Sequence, residues 1–296
     1  MKWPMRTGSS TVITTPDLTV PDRQASILRA SFALRHGETA ITGKYHTAPI
    51  KIAKTFPLDG QLGVMMMDVS PGLLAGDGYE LSWQAGRDTR LYLTNQSYTK
   101  VHPCPDGTSA SMKQRFLVDD GAYIENMMEP VMLYKDAAYT NETEVFLGRG
   151  SVWMQAEVLS PGRLLRGEKF QYRRYDNRMR VYYEEEMIFA QRQLIEPATQ
   201  QLDAPGAWED WSHIGSFYCF SDAIESVHAD TLRAALQALP ERLGQPIKYG
   251  VSLTYRHGLA VAVAGHTAWQ LQELLQSAWT VMRCELMKLP PIRFRK

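Results

Sequence analysis

The stretch Val69 to Leu81, VSPGLLAGDGYEL, sets three glycines, Gly72, Gly76 and Gly78, around a single acid, Asp77. Such a stretch suits a phosphate cradle, a metal ligand or a turn. A phosphate cradle places its glycines at the start of a helix, where free backbone N–H groups meet the anion. Here the residues after Gly78 alternate toward a strand, and the lysine and hydroxyl residue of a P-loop are missing. On its own chemistry the stretch reads as a tight entry turn in which glycine supplies positive φ. His102 and Cys104, two apart between prolines, offer an imidazole and a thiolate that a borderline divalent metal ion accepts. Two donors do not close a site, and the pair reads as surface loop. Glu184, Glu185 and Glu186, with Asp77 or Glu168, offer the paired carboxylates of a glycoside hydrolase. Neighbours on a strand point to opposite faces, however, so a solvated edge accounts for this glutamate run. The chain has no Gly-x-Ser-x-Gly elbow and no zinc spacing. His46, His213, His228 and His266 show no metal spacing either, and Met65 to Met67 read as adaptable packing.

The elements that must position these groups announce themselves through one recurring pattern. An apolar residue, any residue, another apolar residue, two mostly polar ones and a glycine occur at Phe32–Gly37, Leu81–Gly86, Phe116–Gly121, Val145–Gly150 and Leu253–Gly258. Apolar residues two apart share a strand face, and the glycine permits a turn into the next strand. Each copy predicts a hairpin or a sheet corner. The expected fold class is mainly β: a stacked or helical β-sheet body of many short strands, with two C-terminal α-helices. Residues 26–195 form the β body and 1–25 an N-terminal extension. Residues 196–296 form a helix-containing C-terminal part of the same single domain, 1–296, with loop composition from Glu196 to Trp211. Helical spacing predicts one helix over Ser221–Leu239, stopped by Pro240, and another over Thr267–Met287.

Composition bounds the function classes. With 296 residues, 44% of them apolar, the chain can bury a sizeable core. Lys plus Arg equals Asp plus Glu at 32 each, so no overall field draws it to nucleic acid or to a membrane surface. Cys104, Cys219 and Cys284 are few, odd in number and far apart, which suits a reducing compartment. With no signal-peptide core near Met1 and no window of membrane-helix length, the expected location is cytoplasmic.

Gly72–Leu81 (GLLAGDGYEL), Leu93–Val101 (LTNQSYTKV), Gly121–Glu125 (GAYIE), Glu129–Tyr134 (EPVMLY) and Ser160–Phe170 (SPGRLLRGEKF) occur in an order that resembles the urease accessory protein family UreD, also called UreH. The resemblance runs from about Leu28 to the C-terminus, is strongest between Leu73 and Phe170, and ends on Pro290–Phe294 (PPIRF). It implies a non-enzymatic assembly factor that binds apo-urease and UreF, which recruits the GTPase UreG, for nickel delivery to urease. It also implies a β-rich body with a pair of helices and a water-filled passage as the nickel route. No cofactor is implied as permanently bound; nickel is in transit. A passage needs enough acid oxygens to replace hydration and too few to trap the ion. By resemblance Asp77, Glu157 and Glu168 are the carboxylates of that passage. Each also has a structural reading, as a turn cap or as the partner of Arg163, Arg166 or Arg173. Two places depart from the family pattern: Ser70 and Pro71 precede Gly72, with Ala75 in place of a further glycine, and Gln191–Arg192 stand where an acid and an arginine are usual. Besides the carbohydrate-acting hydrolase, the alternative is a structural urease clamp without nickel contact. Exposed apolar surface on the C-terminal helices would support docking of UreF there, and burial of both helices would remove that support.

Overall fold

A computed structural model describes residues 25–292 apart from 59 and 245; most of the N-terminal extension, with Arg293 and Phe294, lies outside the described residues. In chain order the strands are β1 Ser26–Arg35, β2 Glu38–His46, β3 Ile50–Leu58, β4 Gln61–Asp68, β5 Gly78–Ala85 and β6 Arg90–Asn95. β7 Thr99–Val101, β8 Ala110–Val118, β9 Tyr123–Met127, β10 Val131–Leu133, β11 Ala138–Leu147 and β12 Val152–Ser160 follow. β13 Arg174–Tyr183, β14 Glu186–Ile195 and β15 His213–Phe220 lead to α1 Ser226–Leu236 and the single turn α2 Leu239–Arg242. β16 Ile247–Leu253, β17 Gly258–Gly265 and α3 Ala268–Met287 come last.

The glycine motifs act as expected, in two ways. Those ending β5, β8 and β11 are corners: each carries the chain from a first sheet to a second, into β6, β9 and β12. Successive coils stack in parallel in both sheets, which makes the body solenoid-like. The outermost copies are antiparallel hairpins instead, β1–β2 and β16–β17. The first sheet runs β14-β13-β11-β8-β5-β1-β2. The second runs β16-β17-β15-β12-β9-β6-β4-β3, with β7 and β10 paired beside β12. The helices cover the outer face of the second sheet, giving three layers.

Register sorts the space between the sheets into an apolar end and a polar end. On the first sheet the row Trp83–Phe116–Val145–Val181 is fully buried. It faces the row Leu91–Ile124–Trp153–Phe220 of the second sheet, also fully buried, with the Phe116 and Trp153 rings 5.7 Å apart. Burying such side chains contributes about 1.5–3 kcal/mol each and anchors the two sheets to each other.

The helix expected from Thr267 forms as read, with Thr267 at its N-cap. The one expected from Ser221 starts later, because Ser221 holds a turn through Ile224 and a Glu225–His228 capping box sets the true start. Pro240 does not simply stop a helix; it stands in the first turn of α2. The helices also correct the expectation of an exposed apolar surface. Leu271, Leu274, Leu275, Ala278, Trp279 and Met282 of α3, with Leu232 and Leu236 of α1, are buried in the helix–sheet layer. Val227 and Trp269 are the large apolar side chains these helices leave exposed among the described residues. Burial thus removes the helix-based support for UreF docking.

Candidate interior passage

Toward the N-terminal ends of the parallel strands of the first sheet, the inward rows change chemistry. One reads Leu81–Gln114–Thr143–Met179 and the next Tyr79–Met112–Asn141–Asn177. Opposite them the second sheet presents Asn95, the paired Asn126 and Gln155, and Glu157. Of their bonds, Asn177 Nδ2 to Glu157 Oε2 at 3.0 Å crosses the gap, while Asn141 Nδ2 donates to Asn177 Oδ1 at 2.9 Å within the first sheet and Asn126 Nδ2 to Gln155 Oε1 at 2.7 Å within the second. Gln155 Nε2 also donates to Glu157. Asn126 Oδ1, Asn141 Oδ1 and Thr143 Oγ1 are buried with no hydrogen-bond partner. Unpaired buried acceptors of this kind are where interior water binds.

Three abutting cavities occupy this polar end. The first, about 40 Å³, is lined by Asp68, Ser70, Tyr79, Asn95, Thr99 and Lys100, and Tyr79 OH donates to Asp68 Oδ2 at 2.8 Å. The middle one, about 50 Å³, lies between the sheets beside Gln114, Asn141, Gln155 and Glu157 and shares Asn95 and Thr99 with the first. The third, about 290 Å³, is a groove between the second sheet and α3, walled by Tyr92, Met127, Gln272 and Trp279. It shares Met128, Glu129, Ala156 and Val158 with the middle cavity. The join is a break in the second sheet: β9 ends at Met127, β10 begins at Val131, and Met128 to Pro130 leave the ladder between them. Glu129 stands at this window, its N–H bonded to Asn95 Oδ1 at 2.7 Å and its Oε2 accepting from Gln272 Nε2 at 3.1 Å.

The carboxylates expected from sequence separate. Glu157 faces the middle cavity, and burial raises its pKa against the pull of Asn177 and Gln155. Asp77 caps its own turn, its Oδ2 accepting from Leu74 N–H at 2.8 Å. Glu168 is gripped by Arg163, with Nε 2.7 Å from Oε2 and Nη2 on Oε1, and it accepts from the Lys135 amide. The Arg163 hydrogen bond holds its pKa below the ordinary carboxylate value. Neither Asp77 nor Glu168 is among the residues that line the three cavities. The structure adds Asp68 and Glu129, which sequence reasoning did not select. Glu129 lies within the Glu129–Tyr134 motif, yet nothing in its spacing signals that a strand stops beside it. Gln191, where the family pattern expects an acid, accepts the Tyr218 hydroxyl proton at 2.5 Å.

The rival sites resolve into packing and surface pairs. Cys104 is buried, and His102 Nε2 lies 3.1 Å from Pro71 O with its ring against Tyr134. Glu184 pairs with Arg149 and Glu186 with Arg256 around the exposed β13–β14 turn; Glu184 and Glu185 border an open depression of about 480 Å³ with Asp119 and Asp120. Among the described residues no group of three or more His, Cys, Asp or Glu is placed to hold a metal ion, and no helix is long and apolar enough to cross a membrane.

By fold and interior the chain is a coil of stacked parallel strands with a few carboxylates along a polar passage. Among known proteins, the family model described as UreD urease accessory protein matches residues 24–296. The urease accessory protein UreD of Acetivibrio thermocellus is 31% identical over 242 residues, covering 81% of this chain and 90% of that protein. UreD of Actinobacillus pleuropneumoniae serotype 3 is 28% identical over 266 residues, 88% of this chain and 98% of its own length. UreH of Helicobacter hepaticus is 26% identical over 190 residues, 64% of this chain and 75% of its own length. The chain belongs to the UreD urease accessory protein family, whose role is in urease maturation and not in catalysis.

Proposed function

We propose that the chain is the scaffold that binds apo-urease and UreF, through which UreG is recruited, and that nickel in transit travels the interior passage between the sheets. The observation that carries this reading is the middle cavity, where Glu157, with Glu129 at its window, stands among amide oxygens. Such a lining offers oxygen ligands in place of hydration, yet never gathers the several charged donors that would hold the ion. Asp68, Glu157 and Glu129 then act as single stations in abutting cavities. In this reading Asp77 and Glu168 belong to the loops at the Asp68 end, where nickel meets them outside the interior.

The test is nickel-dependent activation of purified apo-urease with UreF and UreG, comparing the unchanged chain with Glu157→Gln and with Asp77→Ala plus Glu168→Ala. The expected result is at least a tenfold slower activation for Glu157→Gln with complex assembly unchanged. Full activation by Glu157→Gln, combined with complete dependence on the chain, would leave only the structural clamp. Activation that ignores the chain altogether removes both.

A further inference from the structure

α3 ends in a turn that sends the chain back along the helix it has just left. Lys288, at φ +53°, stands in the left-handed conformation of a helix C-cap. Its N–H bonds to Cys284 O, that of Leu289 to Arg283 O, and Pro290 O accepts from Arg283 Nε at 2.7 Å. Pro290 and Pro291 favour extended backbone after the turn. Ile292 is then buried, and with Trp279, Leu275 and Gln276 it lines the groove between α3 and the second sheet. Pro290 stands at the level of Arg283 and Ile292 in the groove beside Trp279, so the chain runs antiparallel to α3, toward Gln272 and Glu129.

The groove calls for a particular filling. At about 290 Å³ it holds far more than one water, which takes about 30 Å³. Its walls are largely apolar and aromatic, with the Tyr92 and Trp279 rings 5.6 Å apart. Among the residues that line it, Glu129 is the one that carries a charge. A large apolar side chain next to a cation matches such a lining. The sequence after Ile292 reads Arg293, Phe294, Arg295, Lys296, an aromatic ring between two arginines.

We propose that this groove is the seat of residues 293–296, with the Phe294 ring between Tyr92, Leu275 and Trp279 and an arginine beside it facing Glu129. The lengths agree. From Arg283 back to Gln276 the helix measures about 10 Å, and four residues of extended chain from Pro290 cover about 13 Å. Residues two apart on extended backbone share a face, so Phe294 follows Ile292 into the groove and leaves Arg293 and Arg295 for its rim. Attachment at Ile292 also gives this segment a high effective concentration at the groove, which a separate partner lacks. The seat lies where the groove meets the middle cavity, at Glu129. A seated tail therefore covers that window, and this consequence, unlike the seating itself, rests on the reading that nickel uses the passage.

Timed digestion of the full chain with a broad-specificity carboxypeptidase, read by intact mass, tests the seating, with the synthetic peptide LPPIRFRK as the reference for an unseated tail. The expected result is rapid loss of Lys296 and Arg295, then loss of Phe294 that is about tenfold or more slower than in the peptide, because cleavage waits for the tail to leave the groove. Gln276→Arg sets a like charge on the exposed edge of the groove, and Ala156→Leu fills it. Each should bring the loss of Phe294 to the peptide rate, and their melting temperatures check that the fold is kept. Loss of Phe294 from the unchanged chain at the peptide rate overturns the proposal, and so does protection that survives in both variants. Weaker binding of purified UreF by Gln276→Arg, with trimming unchanged, makes the groove a partner's seat and overturns it as well. The digestion uses neither nickel nor urease, so its failure and the failure of the passage reading are separate results.

Discussion

Glu157 shows how a single side chain can work against the fold that carries it. Its carboxyl is taken out of water between two sheets, and two amide donors do not fully replace the lost hydration, so its pKa rises. The sign of the linkage follows. A folded-state pKa above the ordinary carboxylate value of 4.5 means that the folded chain holds a proton the unfolded chain has released. Stability is therefore lost as pH climbs through that window, and the loss persists above it. Glu157→Gln, which keeps an acceptor without the charge, should melt higher than the unchanged chain at pH 8 and close to it at pH 4, read by scanning calorimetry at both values. An equal difference at the two pH values would show that burial of the charge is not the cause. His213 behaves in the opposite sense: burial lowers its pKa from 6.5 to about 4, so its contribution is intact above 6.5 and erodes as pH falls toward 4.

At the scale of elements, α3 is held by more than its apolar stripe. Arg283 is fully buried and reaches the outer face of β9, where its Nη1 lies 2.5 Å from Glu125 Oε1 and 3.0 Å from Gln61 Oε1. Trp279 Nε1 donates to the same Glu125 oxygen at 3.1 Å, and Arg283 Nε donates to Pro290 O at 2.7 Å. One guanidinium thus fixes a helix, a central strand and the tail that follows the helix. Arg283→Met leaves Glu125 buried without its cation and should cost about 3–5 kcal/mol in urea unfolding. Adding Glu125→Gln should return a large part of that loss, because no uncompensated charge then remains. If the double variant unfolds as early as the single one, the cost is lost packing and not stranded charge. The same pair holds the helix that walls the groove at the Glu129 window through Gln272.

Over the whole molecule, two rows of fully apolar side chains close one end of the inter-sheet space, and amides, hydroxyls and the carboxylates of Glu157 and Glu129 line the other. The polar end, with its unpaired buried acceptors, is where the sheets can part at low cost. Native-state hydrogen exchange should follow that division along a single strand. The β11 amide at Val145 should exchange only through global unfolding, and that at Asn141, four residues earlier, through a smaller local opening. Uniform protection along β11 would mean that the polar end is as closed as the rest, which would weaken it as an ion route.

What the amino-acid sequence determined by itself was local: the glycine-ended strands, their alternation, the long helix after Thr267 and the absence of any overall charge field. These follow from backbone sterics and from periods of two and 3.6 residues, which no distant partner has to supply. The length of α1 was less legible because Ser221 and the Glu225–His228 box, both local, compete for its start. Tertiary structure alone decided which inward rows meet, so Asn177 could be paired with Glu157 and Gln272 with Glu129, 143 residues apart, only by folding. It also decided that Asp77 and Glu168 close turns while Glu157 faces a cavity. An acid's role depends on which donors surround it in space, and spacing along a chain does not record that.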